Sequence, residues 1–415
     1  MEYLSNICLQ MQIISELKVR GGFGQTGNFE IGNFASLGLF GVGVANNFAN
    51  YTLQPGLAPS QLLNRDLTWE KSSEFNIGTD LGLFENRILF SANAFERNAN
   101  KLLLNRQLPL TSGFLSVTQN IGSLRNRGLE FELTTQNVKT ADFSWTTNFN
   151  ISLIRNTVTA LADNQAFLAG FANRVEVGAS LGSFYGYQVD RIFQTRDEIS
   201  ALNATARART GNASSVYQEN AAPGDIKFKD LNDDGVITAA DQKIIGSAQP
   251  NFFGGINNTL SYKGIDLSFF LQFVSGNEIY NNTRAFGEGM NGQFGQLGAV
   301  RDRWTPTNTD TNIPRAAFGD PNLNRRTSDR FLEDGSYMRL KTMTLGYNLP
   351  TSIVRVAHLQ SARVYVSGQN LLTFTKYQGL DPEINTFSGS NTALGTDFLT
   401  FPQARTVQVG VNFGL

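Results

Sequence analysis

Between Phe143 and Leu153 the chain alternates Phe143, Trp145, Thr147, Phe149, Ile151 and Leu153 with Ser144, Thr146, Asn148, Asn150 and Ser152. Successive side chains of a strand point to opposite faces, so an extended backbone here has one apolar face and one face of small hydrogen-bonding groups. The stretch is about twice the usual globular strand length and close to what a tilted strand needs to cross a bilayer. A strand of a soluble sandwich can carry the same alternation. The constraint becomes severe only because the pattern recurs along the chain.

Alternating stretches occur near 16–27, 69–83, 87–104, 123–136, 143–155, 251–262, 265–281, 337–349, 362–377 and 404–415. The joins at 84–86, 137–142 and 263–264 are tight, and that at 350–361 is moderately short. Between them lie 28–68, 105–122, 156–250, 282–336 and 378–403, rich in Asn, Gly, Ser and Thr. Short and long connections therefore alternate without exception, as in bacterial outer-membrane barrels with short periplasmic turns and longer extracellular loops. The expected fold is all-β, an antiparallel transmembrane β-barrel. On its strands Leu129, Phe131 and Leu133 face out, and Glu130 and Glu132 face the lumen. Ile265, Leu267, Phe269, Leu271 and Phe273 form a second outward row. In 337–350 the phase is less clean, because Arg339 and Lys341 share a parity with Met343, Leu345 and Tyr347. Either these cations sit above the hydrocarbon band or a bulge shifts the phase.

Bulk properties agree with this reading. No run approaches the roughly 18 apolar residues of a membrane helix, so a helical membrane protein is excluded. A mean hydropathy of -0.21 is tolerable because only the outward half of a barrel strand must be apolar. With 34 basic and 35 acidic residues there is no electrostatic reason to expect nucleic acid. Cys8 is the only cysteine, so no internal disulfide forms. Met1–Leu17 is not a secretory signal: Glu2 stands where a basic lead-in belongs, and Gln10 and Gln12 interrupt the apolar stretch. An outer-membrane reading needs an export signal, which leads to the expectation that the chain is a piece of a longer protein.

Several segments resemble the SusC/RagA family of TonB-dependent outer-membrane transporters. The most specific runs from Arg363 to Glu383 (RVYVSGQNLLTFTKYQGLDPE), and is similar to the family's penultimate strand and its Asp-Pro-Glu loop entry. Others are Leu17–Asn33, Trp69–Gly82, Gly182–Gln194 and Pro223–Gly246. The last strand, with Val407, Val409, Val411, Phe413 and Leu415 on one face, resembles a barrel assembly signal, although the final aromatic is missing. The resemblance implies a 22-stranded barrel with an N-terminal plug, of which about ten strands are present here. Residues 16–415 would be the carboxyl-terminal barrel portion, and 1–15 an extension foreign to the family. The resemblance further implies import of oligosaccharides, glycans or peptides through outer-membrane lipid. Its partners would be a SusD-like surface lipoprotein as lid and the TonB complex, contacted through a plug segment expected to lie outside this chain.

One segment has metal-ligand spacing. Asp230, Asn232, Asp234, the Val236 carbonyl and Asp241 match positions 1, 3, 5, 7 and 12 of a calcium loop, with Gly235 at the sharp turn. Calcium takes six to eight oxygens, which alternate residues of a tight loop can supply. Asp241 replaces the usual Glu, as in dockerin-type loops, and an Asx-rich turn without metal is the plainer alternative. By the parity of the connections this loop is extracellular, so a bound Ca2+ would be structural, stiffening a loop near substrate or lid. His358 is the only histidine and falls in a short turn, so His-based triads and His-rich zinc sites are out of reach. Tyr185, Tyr187 and Phe193 could stack on sugars but suit girdle or loop packing better. The glycines at 287–298 precede no strand–helix unit and imply no phosphate loop. Neither a catalytic residue nor a bound organic cofactor is expected, and the chain is read as a transporter rather than an enzyme. The rival readings are a secreted calcium-binding adhesion or carbohydrate-binding β protein, and a β-rich glycoside hydrolase for which no carboxylate pair stands out.

Overall fold

The structure, a computed structural model, describes residues 13–28, 33–42, 57–292, 295–356 and 358–414. Cys8, Leu415 and most of the 1–15 stretch lie outside them. Ten long strands carry the fold: β1 Ile14–Asn28, β2 Glu70–Leu83, β3 Ile88–Gln107, β4 Ser116–Lys139, β5 Phe143–Ala160, β6 Phe252–Tyr262, β7 Ile265–Ser275, β8 Tyr337–Asn348, β9 Ser361–Thr375 and β10 Thr406–Gly414. They fall where the alternation placed them. β4 is considerably longer than the 123–136 stretch, and β7 stops at Ser275, with a separate short strand Glu278–Asn281 beyond it. The chain divides into two compact units.

The first unit comprises Met1–Phe131, Ile154–Ala166 and Glu176–Ser180. Here β1, β2 and β3 form an antiparallel ladder in chain order. Residues directly opposite in such a ladder share a face. Leu17, Leu81 and Phe90 therefore lie in one row, and Phe90 stacks on Phe131 with ring centroids 6.3 Å apart. The other face carries Lys18, Asp80 and Ser91, with Arg20 donating to Asp80 at 3.1 Å.

The second unit comprises Glu132–Leu153, Phe167–Val175 and Leu181–Leu415. Strands β5 to β10 pair antiparallel, each with the next. Register makes the two faces explicit. Trp145, Leu260, Leu267, Leu345, Val366 and Val409 lie in one row across six strands. The adjacent row is Thr146, Thr259, Ser268, Thr344, Ser367 and Gln408. Phe149 belongs to the apolar set and stacks on Phe273 at 6.2 Å. Asn148 belongs to the polar set and donates to Glu132 Oε1 at 3.1 Å and Thr134 Oγ1 at 2.8 Å.

The turn between β6 and β7 consists of Lys263 and Gly264 at φ 45° and 89°. A two-residue hairpin with positive φ at both positions matches the strand twist, and glycine adopts that region without steric cost. The tight turn after β2 is unusual, since Phe84, Glu85 and Asn86 all have positive φ without a glycine among them.

The irregular phase of β8 has a local cause. Pairing with β7 shifts between Phe270 and Leu271, and Lys341 has no partner in the ladder, while on the β9 side Asn370 adopts φ 53°. This is a bulge, and it moves Arg339 to the polar face. Of the two explanations open from the sequence, the phase shift is the one realised.

Candidate functional site

The long connections of the second unit fold into their own core, in which Phe184, Tyr280 and Phe331 are almost wholly buried. The connection between β5 and β6 also holds a helix that the alternation pattern gave no sign of, α1 Arg196–Thr210. Its start is set by Thr195, whose hydroxyl accepts from the Glu198 N–H, and its end by Gly211 at φ 68°.

The calcium-type loop follows this helix. Asp230 Oδ2 accepts from the Gly235 N–H at 2.7 Å, Asn232 Oδ1 from Asp234 at 3.1 Å, and Asp234 Oδ1 from Val236 at 2.9 Å. Asp233 and Gly235 have φ 60° and 87° and turn the chain sharply. Ile237 donates its N–H to the Tyr217 carbonyl at 2.8 Å, anchoring the loop exit. The structure thus gathers the side chains of Asp230, Asn232 and Asp234.

Asp241 plays a different part. It is fully buried, Oδ1 accepts from Leu231 at 2.8 Å, and Oδ2 accepts from Thr238 at 2.7 Å as half of a capping box. Each carboxylate oxygen has two lone-pair sites, so these bonds leave acceptor capacity.

Four observations bear on whether a cation fits. Asp230 Oδ1 is buried without a hydrogen-bond partner, and the donor set is hard oxygen, which suits calcium. Against this, Arg209 approaches Asp230 to 3.9 Å, and no group of three His, Cys, Asp or Glu among the described residues is placed to hold a metal ion. The Tyr217 hydroxyl, which donates to the Phe228 carbonyl, is pushed up to about 12, by burial first and then by the charge of Asp230.

The Asp-Pro-Glu segment has a physical role of its own. Arg339 and Asp381 are 3 % exposed each, and the guanidinium bonds Asp381 Oδ1 at 2.6 Å and also Glu383. Lys341, displaced by the bulge, bonds Glu383 at 2.5 Å, and the Tyr337 hydroxyl donates to it at 2.8 Å. Asp381 additionally accepts the N–H groups of Glu383 and Gln403 at 3.0 and 2.9 Å.

Burial alone would raise the Asp381 carboxyl, but the hydrogen bonds from Arg339, Glu383 and Gln403 outweigh it and hold its pKa below the ordinary value. The sign follows. A depressed folded-state pKa contributes stability that is fully present above the unfolded value, about 3.9, and is lost as pH falls through the folded one. Protease nicking of 376–405 is therefore expected to stay constant from about pH 8 to 5 and to rise only below about pH 4.

A second buried charge was equally silent in the sequence. Asp225 is fully buried and receives two bonds from Arg315, at 2.9 and 3.0 Å, one from Asn324 at 3.0 Å and one from Ala222 at 2.8 Å. The aromatic residues that could have stacked on sugars are used inside the protein. Phe193 is fully buried against Tyr217, Arg174 lies 4.1 Å over Tyr185, and Arg326 lies 5.0 Å over Tyr187. His358 is exposed at the turn before β9, as expected.

The face of β5 to β10 that bears Trp145, Ile265, Leu345 and Val409 has these side chains exposed, Val409 by 77 %. A contiguous apolar face of this extent with a polar reverse is the signature of a barrel wall in lipid. No helix among the described residues is long and apolar enough to cross a membrane.

Comparison with known proteins agrees. Residues 3–371 match the family model described as TonB dependent receptor-like, beta-barrel, and the chain belongs to this family of outer-membrane barrels. It is of the SusC/RagA type. TonB-dependent receptor P3 of Formosa agariphila is 35 % identical over 423 residues, covering 98 % of this chain and 40 % of its own length. TonB-dependent receptor SusC of Bacteroides thetaiotaomicron is 27 % identical over 428 residues, covering 98 % and 38 %. The solved structure of the RagAB peptide transporter superposes with a TM-score of 0.78 at 28 % identity, covering 99 % of this chain and 42 % of the other. The chain thus spans about two-fifths of the relatives it matches.

Proposed function

We propose that these strands form part of the wall of a TonB-dependent nutrient importer in the outer membrane. Its cargo would be oligosaccharides, glycans or peptides, taken up beneath a SusD-like surface lipoprotein and driven by the TonB complex. The two-faced register of β5 to β10 carries this reading, because its apolar face is exposed rather than packed on a second sheet, as suits a wall between lipid and an aqueous lumen. Support for the cargo class is indirect: one similar structure is that of a peptide transporter. Fractionation of its host should recover the protein in the outer membrane, and deleting the gene should abolish growth on one polymer class. Recovery of the protein in the secreted soluble fraction would instead favour a calcium-binding adhesion or carbohydrate-binding protein.

The calcium-type loop has a supporting role in this proposal. Asp230, Asn232, Asp234, the Val236 carbonyl and Asp241 would hold one Ca2+ that fixes the exit of α1 to the loop core, with no part in chemistry. The hard-oxygen donor set and the partnerless Asp230 Oδ1 support it. Calorimetric titration of the metal-stripped protein with CaCl2 is expected to show one site. Replacing both Asp230 and Asp234 with Ala should abolish it. Equal binding by both proteins would place the ion elsewhere.

A further inference from the structure

A cavity of about 360 Å³ opens in the second unit between the short helix Asn282–Gly287 and the connection from β9 to β10. Leu297, Leu380, Leu399 and Phe401 give it apolar walls, and the ion-paired Arg284 and Glu288 line it as well. Leu380, Leu399 and Phe401 are 76 %, 70 % and 91 % exposed, so among the described residues nothing covers this lip. Asp397 also lines the cavity, yet it is only 3 % exposed. Its backbone is fixed by parallel pairing of Thr396–Asp397 with Tyr280–Asn281.

The two oxygens of Asp397 differ. Oδ2 accepts the Tyr377 hydroxyl at 2.6 Å, whereas Oδ1 is buried with no hydrogen-bond partner. Nearby cations do not serve it. Arg284 bonds Glu288 at 2.6 Å and Glu333 at 2.9 Å, and Arg330 bonds Glu288 at 2.5 Å. Glu288 and Glu333 thus take up both guanidiniums, and among the described residues Asp397 has no ion pair. A buried carboxylate is stabilised by a charged donor far more than by a neutral one.

We propose that this cleft binds a small organic cation, a primary ammonium on an apolar body, with the ammonium on Asp397 Oδ1 and the body against Leu297, Leu380 and Leu399. A carboxylate at the end of an apolar slot selects both features at once: charge for the head and hydrocarbon for the tail. The inference goes beyond the import reading and does not depend on it, since it concerns equilibrium binding at one cleft.

The test is calorimetric titration of the protein purified in detergent with phenethylamine and with 2-phenylethanol, which share a carbon skeleton and differ in charge. Wild type is expected to bind the amine at least tenfold more tightly than the alcohol. Asp397→Asn should remove that preference while heat-modifiable gel mobility stays unchanged, and Tyr377→Phe should retain it. Equal affinity for both probes in wild type, or an undiminished preference in Asp397→Asn, overturns the proposal. Leu399→Trp, at an exposed position that tolerates bulk, fills the cleft and should abolish amine binding. Undiminished binding in that variant overturns it as well. Neither result touches uptake, which is measured separately by growth.

Discussion

Arginine at position 149 is expected to block assembly of the barrel, whereas arginine one residue earlier is expected to be accepted. Phe149 lies on the apolar face, opposite Ile256 and stacked on Phe273, in the middle of β5. A cation on the lipid face at mid-strand costs about 2–4 kcal/mol, and here the substitution also removes an aromatic pair worth about 0.5–1.5 kcal/mol. Asn148 faces the polar side, where it donates to Glu132 and Thr134. A guanidinium there keeps a donor for Glu132 and remains hydrated. Gel mobility before and after heating reports folding in both variants: Phe149→Arg should lose the compact band, and Asn148→Arg should retain it, with uptake free to change. The reverse result would invert the facing of β5 and with it the membrane argument for this strand.

The second large effect concerns the Asp-Pro-Glu segment. Asp381→Ala should loosen the connection from β9 to β10 by about 3 kcal/mol, the lower part of the range for breaking a buried ion pair. The lower part applies because Glu383 still holds Arg339. Two backbone N–H groups, those of Glu383 and Gln403, lose their acceptor in the same step. Faster proteolysis of 376–405, with heat-modifiable mobility retained, is the expected reading. Combining Arg339→Met with Asp381→Leu removes both charges and should restore part of the protection, since it relieves the excess buried charge at Arg339 but leaves the Glu383 and Gln403 N–H groups without their acceptor. If the double variant is nicked as fast as Asp381→Ala, the segment depends on the specific ion pair rather than on charge balance.

The strands and their facing were legible because both are local. Side-chain alternation has a period of two residues, so Phe143–Leu153 shows its apolar face without reference to any partner. The same holds for the tight turn from Asp230 to Val236, whose Asx side chains bond backbone N–H groups close by in sequence, and for the Lys263–Gly264 hairpin. Helix α1 was missed because its apolar stripe is short: Ile199, Leu202 and Ala206 lie at helical spacing, but only Ala206 is fully buried, and such a stripe is easily lost in a long polar connection.

What the tertiary structure alone decided is how the charges are paired. Arg339 meets Asp381 across 42 residues and Arg315 meets Asp225 across 90. Nothing in the neighbourhood of either arginine in sequence identifies its carboxylate. The bulge at Lys341 belongs here too, since a one-residue slip is a property of two paired strands and reverses facing only once they are in register. Asp397 makes the same point by contrast: its sequence context looks like any loop aspartate, and only folding buries it on the same cleft as Arg284, a cation already committed to Glu288 and Glu333. Periodicity is written into consecutive residues, whereas charge compensation depends on distances that exist only after the chain has closed its long loops.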